Sequence, residues 1–515
     1  MNPVAAGSTS PGAAGSNYPG VLKPAPAALA AFLLGAATVL GFAPFGLAPV
    51  PMFTAAGLLW LWQGISAPRR AAAAGFAFGL GLFLVGVSWV YVSLHRFGAM
   101  PAPLAAIATL LFCAFLALFP ALVGYLQART DRPIAIKQML LIPALWTLAE
   151  WLRDWIFTGF PWLTLGYSQA ASPLGAYAPL TGVFGLSWLV WLCAALLLAL
   201  ARARGRGAAL AGLALVFGAG YGLKQLEWTQ AQGAPVTVSL VQGNIPQELK
   251  WDEARFAATV QLYRRMTEGS AAQLTILPET AIPRFFDLLD PELLRSLAQG
   301  ARSRGGDLII GLPVRDGPGR YYNSVLSLGA SPSQRYDKIH LVPFGEFIPP
   351  GFGWILSVLH IPLTDFSRGG LTQAPLALAG QKIAVNICYE DAFGEEIIRF
   401  LPEATLLANV SNVAWFGDSL APHQHLQIAQ LRAIETGRTM LRATNTGMTA
   451  IIDHRGNLAA ALPPYTQGTL NGSAQGRSGA TPYVRWGNAP LVLLALLVCG
   501  LFVLRYRKPA APPSA

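Results

Sequence analysis

The sequence predicts a helical membrane bundle joined to an α/β layered domain, and three observations carry that reading. Of 515 residues, 53% are hydrophobic and only 12% are charged, against about 25% charged residues in a soluble domain. Apolar runs long enough to span a bilayer fill the chain up to residue 225 and return near its C-terminal end. Between them, over 235–486, short β-rich runs alternate with helical patterns. A soluble globular protein is excluded, and four cysteines are too few for a disulfide scaffold.

Residues 1–24 form a Gly/Ala/Ser/Pro tract read as a disordered tail. Candidate spans follow at 25–43, 48–64, 71–93, 102–128, 138–156, 178–203 and 207–223, and at 488–504. That makes about eight spans, seven of them in a bundle over 25–225, with a short tail at 505–515. Pro49 and Pro51 make the second the weakest. Glu150, Arg153 and Asp154 fall near the outer end of the fifth at helical spacing, where an interfacial ion pair is expected.

Charge orients the bundle. The formal net charge is +11, and residues 1–234 hold 12 Lys and Arg against 4 Asp and Glu. With both termini in the cytoplasm, the inside loops hold Lys23, Arg69, Arg70, Arg129, Arg132, Lys137, Arg202, Arg204, Arg206, Arg505, Arg507 and Lys508. Arg96 and Arg153 fall on outside loops and span ends. The positive-inside bias therefore places 235–486 outside, on the periplasmic face of a bacterial inner membrane. Basic residues set between apolar runs are not the footprint of a nucleic-acid binder.

The external block reads as strands near 236–245, 274–278, 307–314, 322–328, 383–388 and 405–411, with helical patterns at 251–267 and 423–442 between them. It holds a single cysteine. Cys113, Cys193 and Cys499 lie in apolar spans as small hydrophobes, whereas Cys388 ends a strand beside Tyr389, Glu390 and Asp391. A buried structural thiol is one reading of Cys388 and a nucleophile the other. A nucleophilic thiol needs a base or a cation to activate it. Glu279 after Pro278, and Lys338 before Pro343-Phe344-Gly345-Glu346, are the candidates. The histidines are poor ones: His423 and His425 read as a solvated pair at a helix start, and His340, His360 and His454 lie in contexts with no acid or amide orienting them.

Pro278-Glu279, Lys338 ahead of the Pro-Phe-Gly-Glu run, and Cys388-Tyr389-Glu390-Asp391 together resemble the Glu-Lys-Cys triad of the nitrilase superfamily. The membrane half narrows the resemblance. Pro143 to Trp146, Glu150 to Arg153, Thr158 to Trp162 and Gly166 to Ser168 are similar to the membrane region of apolipoprotein N-acyltransferases. Gln242 to Pro246 with Trp251, and Ala414 to Asp418 with His423 and His425, match that family's catalytic domain. Val413 departs from the family pattern, which has Asp there. The resemblance runs from about residue 25 to 505 and implies an αββα sandwich over 235–480.

That resemblance implies transfer of an acyl chain from a membrane phospholipid to the N-terminal amino group of an S-diacylglyceryl-cysteine apolipoprotein, the final step of lipoprotein maturation. Glu279 is then the general base, Cys388 the nucleophile that holds the acyl group as a thioester, and Lys338 the oxyanion cation. No metal or cofactor is implied. Glu346 and Glu390 are expected to orient Lys338 and the substrate, with an ion pair holding strand ends as the competing reading. Trp251, Tyr389, Trp415 and Phe416 are expected to line the acyl site, against ordinary core packing. The charge-free segment 347–362 is expected to be a flap whose Phe352, Trp354, Ile355 and Leu356 dip into the outer leaflet; a packed core segment is the alternative. A membrane-tethered amidase would use the same triad but release its acyl group to water. A transporter with an accessory domain would need ionisable residues at mid-span, and the span centres are almost bare of them.

Overall fold

The computed structural model describes residues 23–202, 205–349 and 365–504. Its N-terminal half is helical: α1 Pro24–Thr38, α2 Val50–Gln63, α3 Pro68–Gly86, α4 Ala102–Ala128, α5 Ile142–Arg153, α6 Ala178–Leu200 and α7 Arg206–Leu223. Pro24, Pro68 and Pro179 stand in first turns, where a missing N–H costs nothing. Among the described residues, five helical stretches are long and apolar enough to cross a membrane: Pro24–Gly41, Pro68–Gly86, Ala102–Ala128, Pro173–Leu200 and Arg206–Leu223. Shorter apolar helices occupy the other expected positions, α2, α5 and a last helix at Ala489–Leu504.

Small residues let the bundle close. Lipid supplies no hydrophobic drive between helices, so tight backbone approach must hold them. A Cβ on Gly81 of α3 would stand 2.1 Å from the Phe32 carbonyl of α1, and one on Gly75 would stand 2.3 Å from the Pro120 carbonyl of α4. Both glycines mark places where two helix backbones touch.

The expected ion pair at the end of α5 does not form. Glu150 instead accepts from Trp146 Nε1 and the Leu165 N–H, both at 2.9 Å. Arg153 turns to the Phe160 and Trp162 carbonyls, each at 2.6 Å. Both side chains are buried and organise the segment after α5, which is where the bundle meets the other domain.

That domain has two six-stranded sheets. The first runs β12-β1-β2-β3-β4-β5, with β1 Val236–Gln242, β2 Leu274–Ile276, β3 Asp307–Arg315, β4 Tyr321–Gly329, β5 Arg335–Asp337 and β12 Gly468–Ala474. The second runs β11-β10-β9-β8-β7-β6, with β6 Leu376–Leu378, β7 Gln381–Ile387, β8 Leu406–Ser411, β9 Thr439–Thr444, β10 Ala450–Ile452 and β11 Leu458–Ala461. In each sheet three parallel strands are flanked by antiparallel ones. Val238, Leu240 and Ile276 of one sheet pack with Val385, Ile387, Ala408 and Met440 of the other in one core.

Helices α8 Glu253–Glu268 and α9 Pro291–Arg302 cover the outer face of the first sheet through Tyr263, Leu297 and Ala301. Helix α10 Ala421–Thr436 covers the second, and its Ile428, Leu431 and Ile434 belong to the same core as the bundle's Leu186 and Trp191. The order is therefore helix, sheet, sheet, helix, with the last helix layer resting on the membrane half, which α11 Ala489–Leu504 rejoins. One helical expectation needs correcting. The pattern at 423–442 is not one helix: Gly437, at φ +63°, ends α10, and Thr439 to Thr444 form the strand β9.

Candidate active site

Parallel strands direct their C-terminal ends to one edge of a sheet, the usual place for ligands in open α/β folds. Here that edge carries the candidate residues. Glu279 follows β2, Lys338 follows β5, Cys388 follows β7 and Asn412 follows β8. Residues more than a hundred positions apart thereby converge.

Lys338 lies between two carboxylates and is 1% exposed. Its Nζ is 2.8 Å from Glu346 Oε2 and 3.5 Å from Glu279 Oε1. Asn323, from β4, uses both amide hydrogens to bridge the same pair, donating to Glu279 Oε1 and Glu346 Oε1 at 2.7 Å each. The Asn412 N–H donates to Glu279 Oε2 at 2.8 Å, and the Val342 N–H to Glu346 Oε2 at 2.8 Å. Burial alone would push the Lys338 ammonium down, but the Glu346 and Glu279 carboxylates outweigh it and hold the cation well above its ordinary range.

Cys388 is held in an unusual conformation. Its φ is +54°, in the left-handed region that a β-carbon disfavours. The thiol is pushed up well beyond its ordinary range, first by burial and then by the Glu279 charge; Lys338 and the Asn412 N–H only partly oppose this. Burial and that charge keep the resting sulfur a neutral thiol, and Glu279 is the carboxylate whose charge acts on it.

The supporting residues divide. Glu346 bonds Lys338 directly. Among the described residues Glu390 makes no ion pair; it accepts from the Ile339, His340 and Ile387 N–H groups at 2.6, 3.0 and 2.6 Å and from Tyr336 Oη at 2.9 Å. It clamps the residues after Lys338 to the strand before Cys388, a strand-end role carried by hydrogen bonds. Tyr389 donates to the Gly159 carbonyl at 2.9 Å, and its ring stacks at 6.2 Å on Trp162 of the membrane half. Phe416 packs on Trp89 at 4.5 Å and Trp415 on Phe97 at 5.9 Å, so both meet the bundle. Trp251 is half-buried beside Lys250. Trp354, with Phe352, Ile355 and Leu356 of the expected flap, lies outside the described residues.

Three histidines depart from expectation. His425 is 1% exposed and bonds Asp391 at 2.6 Å. It is not solvated, because α10 is covered on one side by the sheet and on the other by the bundle. His340 reaches Glu396 at 3.1 Å and the Thr158 carbonyl at 2.8 Å, and His454 reaches Glu227 at 3.1 Å. Each orienting group comes from a distant segment that sequence neighbourhood does not reveal. Among the described residues, no three His, Cys, Asp or Glu side chains gather as metal ligands.

Asn323 and Lys250 escaped the sequence reading. Asn323 is a polar residue at a buried strand position, a signal that was there to read. Lys250 ends the short helix Gln247–Lys250, and its Nζ donates to the Glu279 carbonyl at 3.1 Å. Burial lowers its pKa to about 8, although the Glu279 and Cys388 charges pull the other way. No salt bridge joins it to a carboxylate among the described residues.

Known proteins carry the same two-part layout. Residues 34–196 match the family model of the apolipoprotein N-acyltransferase N-terminal domain, and residues 237–483 match that of carbon-nitrogen hydrolases. The apolipoprotein N-acyltransferase of Nitrosomonas europaea is 55% identical over 480 residues, spanning 92% of this chain and 96% of its own. Those of Chromobacterium violaceum and Methylococcus capsulatus are 49% and 45% identical, spanning 90% and 91% of this chain and 91% and 94% of their own.

Proposed function

The chain belongs to the apolipoprotein N-acyltransferase family, and from that premise we propose that its strand-end cluster moves an acyl chain from a membrane phospholipid to the N-terminal amine of a diacylglyceryl-modified lipoprotein. The observation that carries the proposal is a neutral, buried Cys388 thiol beside a carboxylate and a cation that a second carboxylate holds charged.

Cys388 Sγ attacks the ester carbonyl while Glu279 takes the thiol proton. The oxyanion forms against Lys338, assisted by a backbone N–H at the nucleophile turn. When the tetrahedral adduct collapses, the C–O bond breaks and the lysophospholipid oxygen leaves with the proton from Glu279. The thioester then meets the lipoprotein amine. Glu279 accepts the amine proton, the new C–N bond forms, and the sulfur leaves and recovers the proton. Two moderate barriers replace one high one.

The lipid side of the reaction accounts for the layout. Tyr389, Phe416 and Trp415 pack against the aromatic residues of the bundle, so an acyl chain entering from the bilayer reaches Cys388 along apolar surface. In this reading the catalytic domain, 235–480, faces the periplasm of the inner membrane, both termini are cytoplasmic, and the last span at 488–504 returns the chain. Steady-state kinetics test the scheme: varying phospholipid and acceptor should give parallel double-reciprocal lines, and Cys388→Ser should lose nearly all transfer. Intersecting lines would count against a covalent intermediate.

A further inference from the structure

The turn that carries Cys388 rests on four buried side chains that the chemistry above does not use. Asp391, three residues on, accepts from His425 Nε2 at 2.6 Å on one oxygen and from Arg442 Nη1 at 2.6 Å on the other. Arg442 Nη1 also donates to Asn409 Oδ1 at 2.7 Å. A guanidinium can only donate, so the Asn409 amide must turn its nitrogen the other way. That nitrogen donates to the Cys388 carbonyl at 3.1 Å and to Asn386 Oδ1 at 2.6 Å. His425 Nε2 is itself 3.2 Å from the Cys388 carbonyl. The ring of contacts thus closes on the backbone of the nucleophile, and none of its four members is more than 1% exposed.

Burying an ion pair is a weak way to gain stability, because desolvation offsets the attraction. Its placement is informative instead. A non-glycine residue stays at positive φ only where its surroundings over-determine it, and the Cys388 carbonyl is the point where these donors converge. We infer that His425, Asp391, Arg442 and Asn409 are positioning residues: they lock the peptide after Cys388 so that the left-handed turn keeps its thiol beside Glu279. The inference rests on Cys388 being the nucleophile proposed above. Both neighbours of His425 Nε2 are acceptors, so that nitrogen carries the proton. The ring stays neutral, since burial and the Arg442 guanidinium each press its pKa down. Its Nδ1 is without a hydrogen-bond partner among the described residues.

The test compares two variants of the full chain in detergent or nanodiscs. His425→Gln keeps a donor where Nε2 stood, and His425→Phe keeps bulk without it. Thioester formation is read by single turnover, with the KM for phospholipid, and Cys388 alkylation by iodoacetamide is followed in parallel. Displacing a reacting atom by about 1 Å costs on the order of 100-fold. His425→Phe should therefore slow both reactions roughly 10- to 100-fold with KM held, while His425→Gln stays within about threefold of wild type. A folded His425→Phe alkylated at the wild-type rate, or His425→Gln falling as far as His425→Phe, would overturn the inference. Alkylation needs no acyl donor, so it judges the positioning even if the proposed donor chemistry is wrong. Nitrogen NMR of histidine-labelled wild type provides a measurement that does not depend on a variant folding. It should show His425 protonated on Nε2 alone at neutral pH, and a proton on Nδ1 would contradict the account.

Discussion

Replacing Glu279 by Gln exchanges one carboxylate oxygen for an NH2 group and removes both of the roles assigned to it. The carboxylate accepts from three donors, with Asn323 and Lys338 on one oxygen and the Asn412 N–H on the other. An amide can satisfy only one side. With its oxygen towards Asn323 and Lys338, its NH2 faces the Asn412 N–H and leaves that buried donor unmatched, at about 1–3 kcal/mol of stability. The larger effect is kinetic. Loss of a positioned base costs about 10²- to 10⁴-fold, or roughly 3–5 kcal/mol at 1.36 kcal/mol per tenfold. The pH dependence is diagnostic. In the variant the thiol must ionise to solvent, so its residual rate should climb about tenfold per pH unit between pH 7 and 9, a slope that wild type lacks. Intact-mass detection of acylated Cys388 at single turnover, with a thermal melt as the folding control, reads both effects. Acylation within about tenfold of wild type at pH 7, or the same pH slope in both proteins, would refute Glu279 as the base.

Other perturbations test the surroundings. Asn323→Leu removes the donor that bridges Glu279 and Glu346, and should lower the melting temperature and slow acylation by about 10-fold or more, given that an unmatched buried acceptor costs about 1–3 kcal/mol; an unchanged rate would make the bridge ornamental. Lys250 tests the electrostatics. Its folded pKa of about 8 lies below the ordinary value near 10.5, so the unfolded chain holds that proton more tightly and the penalty is present below pH 8. Stability from this group therefore rises between about pH 8 and 10.5, by roughly 3 kcal/mol in all. Wild type should gain on Lys250→Met in thermal melts between pH 7 and 9.5, and a pH-independent gap would show that burial does not lower the Lys250 pKa. Gly81→Leu forces a side chain to within 2.1 Å of the Phe32 carbonyl, and should cut the yield of folded protein, as an outward-facing Leu on the same helix would not.

The site was legible where chemistry-bearing residues stand at strand ends. Glu279 and Cys388 each follow an apolar run and Lys338 stands just before one, and a strand that ends on a charge or a lone thiol announces itself locally. What could not be read is whatever depends on a second neighbour in space. His425 looks like a solvated residue at a helix start because helix patterns assume one wet face, and α10 has none. Asp391, Arg442 and Asn409 sit in segments that read as ordinary strand and helix, and their ring exists only once β7, β8, β9 and α10 are assembled. The strand β9 was hidden for a related reason: Arg442 in its middle looks exposed until Asp391 is found beside it. The short strands β6 and β10 and the edge strands β11 and β12 left little alternation to detect. The expected ion pair at Glu150 and Arg153 failed similarly, because both groups found backbone partners in the segment that follows α5.

The most direct test of the central claim is the fate of one acyl group. Purified protein incubated with phospholipid and no acceptor should gain the mass of a single fatty-acyl chain on Cys388, cleavable by hydroxylamine. Adding a peptide with an S-diacylglyceryl-cysteine N-terminus should discharge the adduct at once and give an N-acylated peptide, while buffer alone leaves it standing. An adduct lost to water at the same rate with or without the peptide would make this a hydrolase, and no adduct on Cys388, with transfer still proceeding, would contradict the thioester account outright.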